Sequence, residues 1–240
     1  MRRSWSRMGS HLFRKPLAKP AVRRVPKLRI ESLEDRVVPA TVITILDNGV
    51  GSLDGFLSAT DGTITAADDA GIPGTLSRAA LQGVNPNISI SITAETQIDF
   101  GDLSAPLLLQ TAAGSSARFD AQITSITFTD GSDSLQTAGG DLELIGRTLV
   151  GAGALTSGGG DIMLVGDDLA LQAAIDAGTG RVTLKPFSAA RDIDLGTETA
   201  GSTSLTQAEL SLVTAGVLHI GEINVGNITF TDAIVLSPVN

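Results

Sequence analysis

Several residue types that build ordinary cores and catalytic sites are scarce or missing in this chain. None of its 240 residues is Cys, which excludes disulfide bonds, thiolate metal sites and Cys nucleophiles. There is no Tyr, a single Trp, and aromatic residues make up only 3% of the chain. Compact cores normally rely on such rings. Their scarcity favours a thin, repetitive β architecture whose layers need only small branched side chains.

Long apolar runs are also missing, and the charge is unevenly distributed. No stretch of 18 or more apolar residues occurs, so the sequence predicts no transmembrane helix. Residues 1–36 carry a net charge of +8, whereas the remainder carries −17. A basic head on an acidic body indicates two functional parts. The acidic body would repel a phosphate backbone, so we expect no nucleic-acid partner.

The basic head is expected to lie outside the fold. Pro16, Pro20 and Pro26 interrupt it and prevent a long helix. It lacks the apolar region of an ordinary secretory signal. We therefore predict that residues 1–40 form a basic leader or export segment that is disordered, and that residues 41–240 form the folded body.

A short motif stands at the junction of these two parts. Leu33-Glu34-Asp35-Arg36 forms a charged turn before the apolar run of residues 41–46. It resembles the Leu-Glu-x-Arg motif near the N-terminus of many large exported proteins of planctomycete bacteria, although many of those have Pro where this chain has Asp35. The resemblance implies export to the cell surface or the extracellular space, with Leu33, Glu34 and Arg36 as the export motif.

The body contains an internal repeat of 20 residues. Residues 140–146 (GDLELIG) recur as residues 160–166 (GDIMLVG) and again as residues 180–186 (GRVTLKP). A period near 20 is typical of a solenoid, and alternating apolar and polar residues between turn residues favour strands. The sequence therefore predicts an all-β fold, a parallel β-solenoid. Two inward columns should form, Leu142 with Ile162 and Val182, and Leu144 with Leu164 and Leu184.

Some segments also fit helices. Residues 169–175 suit either a helix or a strand, and the flanking repeat favours the strand. Short helical turns are more plausible at residues 76–81 and 206–213. The body ends in an apolar strand pattern at residues 227–236 with no evident cap, which predicts either a fragment of a longer solenoid or end-to-end association.

Several segments resemble the large haemagglutinin-type (filamentous) family of bacterial surface adhesins and exoproteins. They are residues 74–82 (GTLSRAALQ), 178–184 (GTGRVTL), 205–210 (LTQAEL) and 226–230 (GNITF). The likeness spans residues 74–236 and implies a right-handed parallel β-helix in an extended surface protein. The start of the secretion domain carried by two-partner exoproteins is not recognisable here, so the resemblance does not define the export route.

Acidic residues offer the main candidates for a ligand site. Asp130 and Asp133 flank a Gly-Ser pair, and Asp167 and Asp168 follow a Gly. Their oxygen atoms suit calcium, but the same patterns also form plain turns. The Gly-Gly-x-Gly-x-Asp calcium pattern is not met. Asp141 and Asp161 share one repeat position with Arg181, which predicts a charged turn ladder. We expect no other metal or cofactor.

Catalysis has little support in the sequence. The histidines are His11 in the leader and His219 in an apparent strand, and no nucleophile elbow, phosphate loop or helical zinc motif is present. We expect a non-enzymatic structural or adhesive protein whose partners are surface glycans, proteins or further copies of the chain. The alternative is a carbohydrate-active β-helix enzyme, a polysaccharide lyase or hydrolase. A compact β-sandwich binding module would instead require antiparallel hairpins.

Overall fold

A computed structural model of the chain describes residues 42–65, 68, 73–130, 133–151 and 153–235. Helices are short within these ranges: α1 spans Arg78–Gln82, α2 spans Gln207–Leu210, and a 3₁₀ turn spans Asp54–Phe56. The strands are β1 (Val42–Leu46), β2 (Gly62–Ile64), β3 (Gly74–Ser77), β4 (Ile90–Ala94), β5 (Gln97–Phe100), β6 (Leu107–Ala112), β7 (Ser116–Ala121), β8 (Ser125–Phe128), β9 (Ser134–Ala138), β10 (Asp141–Ile145), β11 (Thr148–Gly151), β12 (Ala154–Thr156), β13 (Ile162–Val165), β14 (Asp168–Leu171), β15 (Ile175–Asp176), β16 (Arg181–Lys185), β17 (Ile193–Gly196), β18 (Thr203–Thr206), β19 (Val213–Thr214), β20 (Val217–Ile220) and β21 (Ile228–Phe230).

These strands form parallel sheets. Sheet 1 has the order β14-β11-β8-β5-β1-β3, sheet 2 the order β2-β4-β7-β10-β13-β16-β20, sheet 3 the order β19-β15-β12-β9-β6, and sheet 4 the order β18-β17-β21. From β7 to β16 the chain places one strand on sheet 2, sheet 1 and sheet 3 in turn. The prediction of an all-β fold with parallel strands is confirmed, and the antiparallel β-sandwich is excluded.

In the central strands of sheet 2, each residue pairs with the residue 20 positions further along the chain. Leu142 pairs with Ile162, and Ile162 with Val182, on adjacent strands β10, β13 and β16. The second column, Leu144, Leu164 and Leu184, aligns in the same way. All six side chains are buried. Both predicted inward columns are therefore correct, because residues that pair in register on adjacent parallel strands point to the same face of the sheet.

The turn that precedes each repeat explains its Gly-Asp signature. The Asp141 carboxylate accepts the backbone N–H of Asp161 at 2.9 Å, and the Asp161 carboxylate accepts that of Arg181 at 2.8 Å. The predicted charged ladder is thus a ladder of carboxylate-to-backbone hydrogen bonds. A Cβ on Gly160 would overlap the carbonyl group of Gly140 in the previous repeat. Only glycine allows the turns to approach this closely.

The core runs through the sheets without interruption in the described residues and contains a small aromatic cluster. The ring of Phe100 stacks on Phe128 at a centroid distance of 4.5 Å and meets Phe119 edge-on at 5.3 Å. Phe128 and Gly151 occupy the same column of sheet 1, because Thr127 pairs with Val150. A Cβ on Gly151 would meet the backbone and the Cβ of Phe128, and a Cβ on Gly153 would overlap the Phe128 ring.

Each helix follows a strand and begins with a side-chain cap. Ser77 accepts the N–H of Ala80 before α1, and Thr206 forms a capping box with Glu209 before α2. The last apolar residues of the helices, Leu81 and Leu210, are buried. Helices therefore occur within both predicted turns, at 76–81 and 206–213, but the first residues of each segment belong to β3 and β18, and Val213 belongs to β19. In the segment 169–175 the structure has strand at residues 169–171 (β14) and at residue 175 (β15) and no helix. The strand prediction is therefore correct for these residues, whereas residues 172–174 lie between the two strands.

The predicted leader, residues 1–40, lies outside the described residues, and so do Leu33, Glu34 and Arg36 of the export motif. The disorder and the export role of this segment remain predictions. In the part of the chain that the structure describes, no helix has the length and apolar character needed to cross a membrane.

Candidate functional site

The described surface carries a polar cleft beside the β14 end of sheet 1. Its volume is about 440 Å³. The cleft lies where the 20-residue period breaks, since Val182 pairs next with Leu218 in β20, 36 residues further along the chain. The inserted residues include β17, β18 and α2. We call this site the acidic cleft, and its lining residues are Asp167, Asp168, Arg191, Glu198, Thr199, Ala200, Gly201, Ser202 and Ser204.

One wall of the acidic cleft is the loop that joins β17 to β18. Ser204 Oγ accepts the backbone N–H of Thr199 at 2.9 Å, and the Thr199 hydroxyl donates to the buried carboxylate of Asp194. Asp194 also accepts the Thr231 hydroxyl at 2.7 Å. These bonds close the loop on itself and place Glu198 at the rim of the cleft.

Arg191 and Asp167 form the floor of the acidic cleft. Arg191 Nη2 donates to the Ser202 carbonyl oxygen at 2.9 Å, and its Nε lies 3.7 Å from Asp167 Oδ1. The two oxygens of Asp167 accept the backbone N–H of Ser188 at 2.7 Å and its hydroxyl at 2.6 Å. Arg147 Nη1 also lies near this carboxylate, at 3.9 Å from Asp167 Oδ2. The Asp167 carboxylate is therefore held in place by neighbouring donors.

Glu198 has the most perturbed environment in the cleft. Its side chain is exposed at the rim, but the protein displaces water from part of it, and this desolvation raises the pKa of its carboxyl above the ordinary value. The negative charges of Glu209, Asp168 and Asp194 raise the pKa further. Such a carboxyl accepts a proton more readily than an isolated one, which is a property of general acids.

The candidate calcium residues Asp167 and Asp168 both line the acidic cleft, but the structure does not assemble a cation site there. Asp167 already accepts two hydrogen bonds from Ser188. Across residues 42–65, 68, 73–130, 133–151 and 153–235, no group of three or more His, Asp or Glu residues is arranged to hold a metal ion.

The other calcium pair, Asp130 and Asp133, lies in the turn before β9. Asp133 is fully buried, and its carboxylate accepts the backbone N–H of Leu103 at 2.8 Å and that of Asp130 at 3.0 Å. Leu103 lies 30 residues earlier in the chain, so Asp133 joins two segments that are distant in sequence. Both carboxylate oxygens of Asp133 thus accept backbone hydrogen bonds, and calcium binding at this motif stays a prediction.

A second, smaller cleft of about 230 Å³ lies between the segment after β16 and the loop after β20. Lys185 Nζ lies 2.6 Å from Glu222 Oε2 at its edge, and this hydrogen bond and charge lower the pKa of Glu222. Lys185 and Glu222 are therefore paired with each other. His219 lies on β20 with its side chain exposed.

Sequence reasoning found two residues of the acidic cleft, Asp167 and Asp168, but missed Arg191 and Glu198. No local motif marks either residue. The available signal was the interruption of the 20-residue period after residue 186, because insertions in a repeat protein form loops that carry sites on one face.

Comparison with known proteins supplies no family. No family model matches the chain, and no curated protein and no solved structure matches it.

Proposed function

We propose that the chain is a structural or adhesive segment of an exported bacterial surface protein, and that its body is a right-handed parallel β-helix. The observation that carries the proposal is the in-register parallel pairing of strands one 20-residue repeat apart. Each repeat buries its apolar side chains only against its neighbours, so such a body extends by adding repeats. Long surface scaffolds need this property. The resemblance to haemagglutinin-type adhesins supports the same assignment.

The outer faces of the sheets suit broad and weak contacts with a ligand. On the outer side of sheet 2 one column consists of Ser91, Arg118, Glu143, Met163, Thr183 and His219. Arg118 is paired with Glu143 at 2.6 Å and with Asp120 at 2.8 Å. Leu108 on sheet 3 and Val150 on sheet 1 are large apolar side chains that are partly exposed. A ligand would meet a mixed row of polar, charged and apolar side chains along this column, each offering a weak contact.

Binding assays with the full chain test the adhesive function. Bead-bound chain at high density should retain surface glycans or surface proteins through many weak contacts, whereas the free chain should bind each one weakly. Avidity arises from multiplicity. Equal, tight binding by free chain to a single small ligand would contradict this proposal and point to a specific pocket.

The acidic cleft supports one alternative function, a carbohydrate-active β-helix enzyme. The supporting observation is that Glu198, with its raised pKa, shares the cleft with Asp168 and Arg191. Glycoside hydrolysis uses a pair of carboxyl groups. The cleft lining contains no aromatic ring on which a sugar could stack, which favours the scaffold.

Incubation with acidic and neutral polysaccharides separates these two functions. The scaffold predicts no release of reducing or unsaturated sugar ends. Release that the Glu198→Gln variant abolishes, while the Glu143→Gln variant on the outer side of sheet 2 retains it, would establish the enzyme and refute the scaffold.

A further inference from the structure

The bend after β1 exposes an Asn-Gly pair. Asn48 is followed by Gly49, and no other asparagine of the 240 residues precedes a glycine. Both residues are exposed and lie beyond Leu46, the last residue of β1. Asn48 Nδ2 donates to the neighbouring Asp47 carboxylate at 2.6 Å. The side-chain amide of Asn48 is therefore accessible to water and lies outside the sheets.

The backbone nitrogen of Gly49 is accessible as well. The φ of Gly49 is +97°, and a Cβ built there would meet no atom within 4 Å beyond its chain neighbours. Among the residues that the structure describes, no hydrogen bond engages the Gly49 N–H. Glycine also has no side chain that hinders the approach of its nitrogen to Cγ of the preceding residue. Neither packing nor hydrogen bonding thus opposes this approach at Asn48.

We propose that Asn48 is a site of spontaneous covalent modification in the folded chain, by deamidation through a cyclic imide. The Gly49 nitrogen loses its proton to hydroxide and attacks Cγ of Asn48. The bond between Cγ and Nδ2 breaks, and Nδ2 takes a proton from water and leaves as ammonia. Asparagine is among the residues that are chemically labile in proteins.

Water then opens the ring at either of its carbonyl carbons. Attack at Cγ breaks the new bond to the Gly49 nitrogen and gives aspartate at position 48. Attack at the main-chain carbonyl carbon breaks the original peptide bond and gives isoaspartate, in which the main chain runs through Cβ and Cγ. The net change in both products is the replacement of ammonia by water, with no oxidation or reduction.

The other asparagines of the described residues have neighbours that oppose the reaction. Asn85 precedes Pro86, which has no N–H to lose. Asn87 and Asn227 precede Ile, and Asn224 precedes Val. The branched Cβ of these residues crowds the attacking nitrogen, so these asparagines are internal controls.

The fold also restrains Asp-Gly pairs, which form the same ring by loss of water. Both oxygens of Asp54 are held, because its carboxylate accepts the N–H of Gly51 at 2.8 Å and that of Ser77 at 2.7 Å. Asp61 precedes Gly62, which is buried within β2. Ring formation at either position would require these contacts to break, whereas Asn48 needs no such change.

Deamidation would alter the surroundings of Asp47. Its carboxylate accepts the Ser104 hydroxyl at 2.7 Å and lies 2.7 Å from Arg78 Nη1, so it joins the end of β1 to the start of α1. A carboxylate at position 48 cannot donate to Asp47, and it places a like charge beside this group. Each modified chain also gains one negative charge.

Incubation of the full folded chain at neutral and at mildly alkaline pH tests the proposal. Peptide mass spectrometry should show replacement of ammonia by water at Asn48, faster at the higher pH because the attack needs the deprotonated nitrogen. The rate at Asn48 should exceed that at Asn87 and Asn227 by roughly tenfold or more, because a branched neighbour crowds the nitrogen there. An enzyme that methylates isoaspartate should label the Asn48 peptide.

The Asn48→Gln variant keeps an amide but needs a larger ring, so the more acidic form that anion exchange resolves in the aged chain should not accumulate. Asn224→Gln is the matched control and should leave that form unchanged. An Asn48 that stays intact in the folded chain but reacts in urea would show that the fold protects it. That result, or equal rates at Asn48, Asn87 and Asn227, would overturn the proposal and leave the proposed scaffold function untouched.

Discussion

At Gly151, both the backbone conformation and the contact with Phe128 disfavour a side chain. Its φ is +121°, which L side chains rarely adopt, and a Cβ there would lie 2.8 Å from the carbonyl oxygen of Phe128 and 2.9 Å from its Cβ. We predict that Gly151→Ala destabilises the chain by roughly 1–3 kcal/mol through overpacking, in addition to the backbone cost. Urea unfolding monitored by circular dichroism measures the loss.

Gly159 is the matched control. Its φ is +113°, but a Cβ there would meet no atom within 4 Å. Gly159→Ala should therefore cost only the backbone strain, about 1–2 kcal/mol. Equal losses for the two variants would show that contact with Phe128 contributes nothing.

Glu198 gives a prediction about pH. Because its pKa in the folded state is raised, the ionised form is disfavoured by folding, and the cost is fully present at pH values above that pKa. Glu198→Gln should therefore raise the melting temperature at neutral pH. The gain should shrink as the pH falls through the raised pKa, and vanish below the ordinary glutamate range, where both states are protonated.

Asp168 serves as the control for the origin of this effect. Asp168→Asn removes one of the negative charges that raise the pKa of Glu198. In that variant, an NMR titration of the Glu198 carboxyl should show a lower pKa. An unchanged pKa would mean that Asp168 does not contribute.

At the residue scale, the sequence predicted inward positions better than polar roles. Leu142, Leu164 and Val182 could be placed because apolar residues at a constant period must face the same core. Asp133 could not, since a carboxylate that binds calcium and one that accepts the N–H of Leu103 have the same local sequence. The difference depends on a contact 30 residues away.

At the element scale, β13 is the centre of sheet 2's regular region, with β10 and β16 on either side. Leu164 in β13 is 1% exposed. Leu164→Ala should destabilise the chain by about 2–5 kcal/mol, since the neighbouring columns hold the cavity open.

Met163 provides the comparison within the same strand. It lies on the outer side of β13, between Glu143 and Thr183, and Met163→Ala should change the free energy of unfolding by only about 0.5 kcal/mol. Comparable losses at both positions would contradict the assignment of the inner and outer sides.

The regular elements were predictable from the sequence, but the insertion was not. Strands β10, β13 and β16 follow from the period, and α1 and α2 lie within the segments 76–81 and 206–213 where the sequence predicted helical turns. Strand β17 pairs with β18 on one side and with β21 on the other, not with β16, the strand before it in sequence. That pairing depends on three-dimensional proximity to β14 and produces no periodic pattern in the sequence. Sequence analysis therefore did not predict these strands, and it did not identify Arg191 and Glu198 as residues of the cleft.

At the scale of the whole molecule, the leader and the body should act independently. We predict that deleting residues 1–36 abolishes delivery to the surface and leaves the melting temperature of the purified body unchanged. The physical reason is that a basic, Pro-interrupted segment has no apolar face to bury. Surface labelling in a bacterial host and calorimetry measure the two effects.

Replacement of Leu33, Glu34 and Arg36 together by Ala isolates the export motif, and Glu31→Ala is the neighbouring control. Only the triple variant should lose surface delivery. A large drop in melting temperature after the deletion would instead show that the leader is part of the fold.

The parallel order of repeats along sheet 2 is the central claim, and spin-label distances test it most directly. The chain contains no Cys, so labels report only from introduced sites. Ser91→Cys is combined in turn with Glu143→Cys, Met163→Cys, Thr183→Cys and His219→Cys, which lie in register on successive strands.

The separation from residue 91 should grow by about 4.8 Å per strand through this series, the spacing of neighbouring strands. A uniform increase that reaches its maximum at residue 219 is the predicted result. Distances that stop increasing or shorten toward residue 219 would mean that the chain folds back on itself, and would contradict the β-helix.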